Sequence, residues 1–174
     1  MMSTSAQVNQ PSLEGTRLGE LWSILPEEAG CDAAGSLTVG GVSVTELAER
    51  YGTPLHIIDE TGLRRQARRF VEGMRERWPN SEVLFASKSL PVVGMYRLAQ
   101  EEGLSVDVAG GGELKLALAA GVDPKRLHFH GNAKTDAELQ DALDARIGAI
   151  IVDNEDEIDR LERLLTRPSV SCCA

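Results

Sequence analysis

The stretch "EVLFASKSL" (82–90) runs an apolar strand pattern straight into Lys88, which sits between two serines with no acidic residue beside it. An amine in that place is either a surface cation at a strand's mouth or a reactive amine held in a pocket. The second role requires the amine to lose its proton, so a partly desolvated site that lowers its pKa is expected. Two further strand-like runs end on groups of chemical interest. "LSVDVAGGGEL" carries Asp107, three glycines and then Glu113 at a helix start. Glycines let backbone N–H groups approach a ligand, though they also make ordinary tight turns, and Glu113 has a ready explanation in the helix macrodipole. "RLHFHGNAK" puts His128 and His130 on one strand face, continued by Asn132, with Lys134 beyond. Two histidines so spaced could ligate a metal, but no suitably placed third ligand is visible, so no metal site is expected. Asn154, after a fourth run, reads as a helix N-cap.

The elements that must position these groups follow a period. "EVLFAS", "LSVDVAG", "RLHFHG" and "GAIIVD" read as strands, with Val83, Ser105, Leu127 and Ala149 taken as equivalent positions 22 residues apart. Helical segments at 92–102, 113–120, 136–145 and 156–165 alternate with them. Such units build parallel β-structure with right-handed crossovers. By alternation Leu84, Ala86 and Lys88 share one face, and Asp107 shares one with Ser105 and Ala109. No G-x-G-x-x-G follows the first strand, and the even spacing favours a (β/α)8 barrel over an open doubly wound sheet. A barrel needs eight units and ~250 residues, whereas four are visible here. The fold class expected is therefore α/β, the N-terminal half of a (β/α)8 TIM-type barrel.

The remainder divides by composition. Residues 1–35 read as a loosely ordered polar leader. Residues 36–59 read as a β/α lead-in, with a hairpin at Gly40-Gly41, a helix in "TELAERYG" with Thr45 as N-cap and Gly52 as stop, and a strand in "TPLHIID". A long arginine-rich helix from Glu60 to about Arg77 opens the partial barrel at 60–168, and 169–174, "SVSCCA", is taken as an aberrant tail where a fifth strand is due.

Composition narrows the class. Hydrophobic residues make up 42% and charged residues 26% of the 174, as in globular proteins, and at 4% aromatic the core must rest on Val, Leu, Ile and Ala. A net charge of −9 argues against nucleic-acid or anionic-membrane partners. Arg64, Arg65, Arg68 and Arg69 lie at helical spacing and read as a solvated face. Cys31, Cys172 and Cys173 show no C-x-x-C pairing, which suits a reducing compartment and no zinc. With no secretion-signal pattern and no apolar run near the ~20 residues of a membrane span, a cytoplasmic protein is expected.

"FASK", "DVAGGGELKLALAAGVDPKRLHFHGNAK" and "AIIVDNEDEIDRL", in that order, resemble the diaminopimelate decarboxylases, pyridoxal-phosphate enzymes on an alanine-racemase-like barrel. "LTVGGVSVTELAERYGTPLHIIDETGLR" is similar to that family's opening segment, so the likeness covers about residues 36–165. The resemblance implies that the short β segments belong to a second β-domain and that the cofactor is pyridoxal 5'-phosphate. It makes Lys88 the catalytic Schiff-base lysine, with Asp107 and His130 as further cofactor-binding residues and Glu113 and Asn132 as active-site support. Asp107 would help to position the amine, or serve only as a turn partner. The implied reaction is decarboxylation of the small amino acid meso-2,6-diaminopimelate to L-lysine, by a homodimer in the full-length form.

Two departures bear on fine contacts: Ser89-Leu90 stands where Ala-Asn is common, and Gly110 where Ser is usual. The resemblance also implies phosphate-binding glycines, an acidic partner for the pyridine nitrogen and a C-terminal β-domain with an active-site cysteine, none of which is in these 174 residues. A truncated or frame-shifted chain with little or no activity is therefore expected. Alternatives are a decarboxylase of the same fold acting on ornithine, arginine or a carboxylated polyamine, a non-catalytic pyridoxal-phosphate carrier, or an inert fragment. The carrier reading predicts no β-prone "SLTVGGVSV" segment.

Overall fold

The computed structural model describes residues 24–165 and the backbone of 172–173, and the chain divides at Arg65 into two compact units. In the first, β1 (Ala29–Cys31), β2 (Leu37–Val39) and β3 (Val42–Ser43) form an antiparallel sheet, its second hairpin turning at Gly40-Gly41 as expected. Helix α1 (Val44–Tyr51) follows directly. Its N-cap is Ser43 rather than Thr45, and the two hydroxyls lie 2.9 Å apart. Gly52 closes it by donating to Ala48 O at 2.8 Å.

"TPLHIID" does not become a strand. Leu55, Ile57 and Ile58 are all exposed, and no ladder partner meets them among the described residues. Alternation gives a segment two faces, but a strand exists only where neighbouring backbone takes up its N–H and C=O groups.

Helix α2 (Glu60–Arg77) spans the junction and sends Ala67 and Val71 into the core of the second unit. That unit is a parallel sheet in the order β4 (Leu84–Ala86), β5 (Ser105–Val108), β6 (Leu127–Phe129), β7 (Ala149–Ile151), β8 (Cys172–Cys173). Helices α3 (Val93–Glu101), α4 (Gly111–Ala119), α5 (Asp136–Ala145) and α6 (Glu155–Leu164) alternate with the strands, within two residues of the expected bounds. Neighbours in sequence are neighbours in space throughout, which is the winding of one arc of a (β/α)8 barrel.

Of the tail expected at 169–174, the two described residues, Cys172 and Cys173, pair in parallel with Ile150 and Ile151 as a fifth strand. Of the leader expected at 1–35, residues 1–23 lie outside the described residues, while Ala29–Cys31 form β1. The repeat between paired residues of the first four strands is 21, not 22, running through Ala86, Asp107, His128 and Ala149. That single residue matters because it decides which side chains stand in one row on one face.

One face of the sheet is apolar and closed. Val106, Val108, Leu127, Phe129 and Ile150 are all fully buried and pack with Tyr96, Ala99, Leu114, Ala117, Leu139, Ala142 and Leu161 of the helices. Each large side chain in this layer stabilises the unit by about 1.5–3 kcal/mol. The opposite face, the barrel's inner side, carries the row Ala86, Asp107, His128 and Ala149, with Lys88 and His130 beyond the strand ends.

Candidate active site

Lys88 lies in a 3₁₀ turn (Ser87–Ser89) at the C-terminal end of β4. Leu90 N donates to Ser87 O at 3.0 Å and Ser89 Oγ to Ala86 O at 2.9 Å, which fixes the turn. Ser87 faces the helices and is fully buried, while Lys88 stands exposed on the open side. The described residues alone therefore do not enclose the amine in the desolvated pocket expected for it.

Glu113, in the first turn of α4, fastens the turn to its neighbour. Its Oε2 accepts from Ser87 Oγ at 2.5 Å and from Ala109 N at 2.7 Å, joining the ends of β4 and β5. The macrodipole explains an acid at this position but not these two bonds. Tyr96 is fully buried near both residues; burial raises its phenol pKa, the neighbouring Ser87 hydroxyl opposes this, and the charge of Glu113 adds to the rise.

Asp107 stands beside Ala86 and His128 in the row, half-buried. Burial pushes its carboxyl above the ordinary 3.8, Glu113 adds to this, and His130, His128 and Lys88, in falling order, pull it down. Its Oδ1 is buried without a partner. The groups on three strand ends thus converge electrostatically on one carboxylate.

Lower on the same face, His128 Nε2 is 3.1 Å from Glu82 Oε2, and Glu82 also accepts from the Ser105 hydroxyl. His130 is exposed at the end of β6, where its N–H donates to Val108 O at 2.7 Å. No three His, Cys, Asp or Glu side chains converge as metal ligands among the described residues.

The loop after β6 is held from below. Gly131 has φ +107, and a Cβ there would sit 3.0 Å from Ala109 O, so only glycine lets this loop lie against the end of β5. Lys134 is buried, donating to Gly131 O and to Ile151 O and pairing with Glu157. At the next helix start, Thr135 and Glu138 form a capping box, and Glu138 Oε1 also accepts from Gly111 N at 2.7 Å. These backbone bonds from Thr135 and Gly111 hold the Glu138 carboxyl below its ordinary 4.5.

Residues 62–172 match the family described as pyridoxal-dependent decarboxylase, pyridoxal binding domain. The chain belongs to this family. It is 46% identical over 136 residues to a diaminopimelate decarboxylase of Bacillus methanolicus, covering 78% of this chain and 32% of that protein. With the diaminopimelate decarboxylase of Bacillus subtilis it shares 48% over 130 residues, covering 75% and 30%. A crystal structure of diaminopimelate decarboxylase from M. jannaschii in complex with L-lysine is similar at TM-score 0.75 and 26% identity, over 84% of this chain and 36% of that one. The chain thus spans about a third of the length of the relatives it matches.

For a pyridoxal-binding domain the donor set fits. The end of the arc offers an exposed primary amine, and beside it a half-buried carboxylate whose inner oxygen lacks a partner. Of the residues anticipated, Lys88, Asp107, His130 and Glu113 come together at these strand ends. Asn132 is exposed in the loop after β6 and makes no side-chain hydrogen bond among those of the described residues. Ser87, Tyr96 and Glu138 were not anticipated. The run "TDAE" before α5 is a capping-box signal that would have disclosed Glu138, whereas nothing local marks Ser87 or Tyr96.

Proposed function

We propose that this chain is the cofactor-binding part of a cytoplasmic enzyme, homodimeric at full length, that decarboxylates meso-2,6-diaminopimelate to L-lysine. The observation that carries the reading is the unpartnered, half-buried Asp107 carboxylate, coupled to Lys88 and to both histidines at one end of the arc. Pyridoxal 5'-phosphate, when bound, supplies the covalent attachment and the electron sink for loss of CO2. Lys88 provides the amine, presented on a turn that Ser87 and Glu113 hold in place. Asp107 Oδ1 accepts or returns the proton at Lys88 Nζ, and its carboxylate, raised by burial, is a better proton acceptor than an exposed one. His130, close enough to act on the Asp107 charge, would help to hold the cofactor, and Ala86, small and opposite Asp107 in the row, would leave space beside it.

Support for the substrate is the 46–48% identity to diaminopimelate decarboxylases. A second reading, an ornithine or related decarboxylase, draws on the likeness to lysine/ornithine decarboxylase structures from Vibrio vulnificus, at TM-scores of 0.62 and 0.63 but only 27% and 28% identity.

The test has two arms. Mixing the chain with pyridoxal phosphate, reducing with borohydride and mapping peptides should place the adduct on Lys88 and lose it in Lys88→Ala. Labelling spread evenly over the surface lysines would sink the assignment of Lys88. CO2 release by a full-length form should be fastest with diaminopimelate, and a preference for ornithine would transfer the assignment to the second reading.

A further inference from the structure

The opposite end of the same strands carries a second feature. A cavity of about 300 Å³ opens beneath the N-terminal ends of β4, β5 and β6, against the last turns of α2. Its polar wall is formed by Arg75, Arg126, Ser81, Ser105 and Glu82.

The charges in this wall are unevenly satisfied. Neither Arg75 nor Arg126 has a carboxylate partner among the described residues; the nearest bond of Arg126 is a long one, Nε to Ser105 Oγ at 3.5 Å. Elsewhere in this unit arginines are paired, as Arg68 is with Glu102 and Arg160 with Asp136 and Asp156. Glu82, the one carboxylate in the wall, is already engaged by the Ser105 hydroxyl and by His128 Nε2. The Ser81 hydroxyl is buried without a partner. Gly103 lies beside the Arg75 guanidinium, a Cβ there standing 3.8 Å from Arg75 Nη2, an ordinary contact distance.

The exposed Arg75 and the half-buried Arg126, neither with a carboxylate partner among the described residues, and the unpartnered Ser81 hydroxyl thus stand around one hollow. Guanidinium forks match the oxygens of phosphate and carboxylate groups in two-point contacts. The volume is at the lower end of the ~300–1,000 Å³ of small-molecule sites, ample for a small oxyanion. We propose that this cavity binds a small dianionic oxyanion, phosphate or a short dicarboxylate, between Arg75 and Arg126. The site lies at the strand ends away from Lys88, so it is not a place for the reacting amino acid. An anion there would tie the end of α2 to the starts of β5 and β6.

Isothermal titration of the purified chain with inorganic phosphate and, separately, with malonate, at constant ionic strength in a non-phosphate buffer, tests this. Saturable binding of at least one of the two is expected, and the tighter one identifies the class. Arg75→Gln and Arg126→Gln should each weaken it several-fold and the double variant at least tenfold, whereas Lys88→Ala should leave it unchanged. Circular dichroism checks that each variant is folded. Should the double variant fail to fold, Arg75→Lys and Arg126→Lys keep the charge but lose the fork, and each should still weaken binding several-fold. Absence of saturable binding to the parent chain overturns the proposal. So does undiminished binding in the folded double variant, or in both lysine variants, or loss of binding in Lys88→Ala.

Discussion

Lys134 and Glu157 form an ion pair at 2.9 Å in which both side chains are 1% exposed. Both side chains make further hydrogen bonds to the backbone. Lys134 also donates to Gly131 O and Ile151 O, Glu157 Oε2 accepts from Asp153 N at 3.0 Å, and the Phe129 ring lies 5.8 Å from Nζ. A buried pair is tolerated only with such additional bonds. Here it joins the loop after β6, which carries His130 at its start, to the loop after β7.

Lys134→Met should therefore cost about 3–5 kcal/mol, because it leaves the buried Glu157 charge with only the Arg160 guanidinium, 4.0 Å away, in place of a close hydrogen-bonded partner. Adding Glu157→Gln removes that charge while keeping an acceptor for Asp153 N, so the double variant should be more stable than the single one. Urea unfolding of the three chains gives the comparison. Equal losses in the single and double variants would show that the charge on Glu157 is not what the lysine offsets.

Periodicity made most of the second unit legible. Strand and helix positions follow from apolar alternation and turn residues, because the core layer is built from those same residues, Val106 through Ile150. Alternation also placed Ala86 with Lys88 and Asp107 with Ser105 on the right faces. What it could not supply was contact between elements distant in sequence. Glu113 with Ser87 is a separation of 26 residues, and Lys134 with Glu157 is one of 23, from 134 to 157. Neither pair has a local signature. "TPLHIID" failed for the converse reason: its pattern is that of a strand, but pairing is a property of two segments.

The carboxyl of Glu138 titrates below 4.5 in the folded chain. Its contribution to stability is thus complete above the unfolded value and is lost as pH falls through the lower folded one. Glu138→Gln should cost about 1 kcal/mol at neutral pH, where the charged acceptor serves Thr135 N and Gly111 N, and progressively less in acid. Denaturation midpoints measured at neutral pH and well below 4.5 should converge for parent and variant at the acid end.

Asp107 has the opposite sign. Its folded carboxyl lies above 3.8, so ionising it costs more in the folded chain than in the unfolded one, and stability falls as pH rises through these two values. Asp107→Asn has no charge to desolvate and should raise the stability of the cofactor-free chain at neutral pH by up to about 1 kcal/mol. Below both values the two chains should be alike. The same variant should lower the yield of the borohydride-reduced adduct on Lys88, which separates a functional carboxylate from a merely costly one.

Gly131→Ala meets two obstacles at once, a φ of +107 and a backbone oxygen 3.0 Å from the new methyl. A loss of about 1–3 kcal/mol is expected in thermal or urea unfolding. Backbone cannot swing aside as a flexible side chain can, so the Gly131 loop must move instead. The His130 N–H bond to Val108 O, one residue away, should then exchange faster with solvent. A variant of unchanged stability and exchange would show that the loop has room to spare.

The bond from Ser87 to Glu113 makes the most direct prediction about the reactive lysine. Glu113→Ala leaves the Ser87 hydroxyl buried without its acceptor and Ala109 N unpaired, which should cost about 1–3 kcal/mol for the stranded donors. Ser87→Ala removes the hydroxyl along with its need for a partner, so adding it to Glu113→Ala should cost little more. The consequence for chemistry is separate from stability. Lys88 is the middle residue of the turn that Ser87 begins, and Leu90 N closes that turn onto Ser87 O. Without Glu113 the turn opens more often, and hydrogen exchange at Leu90 should rise about tenfold for each ~1.4 kcal/mol lost there. The adduct on Lys88 should fall in parallel, while labelling of Lys115, paired with Asp141 on the exposed side of α4, serves as the internal reference. If exchange at Leu90 rises and Lys88 labelling does not change, the turn is free to move without affecting the amine, and Glu113 is a structural clasp only. If both change together, Glu113 positions the lysine.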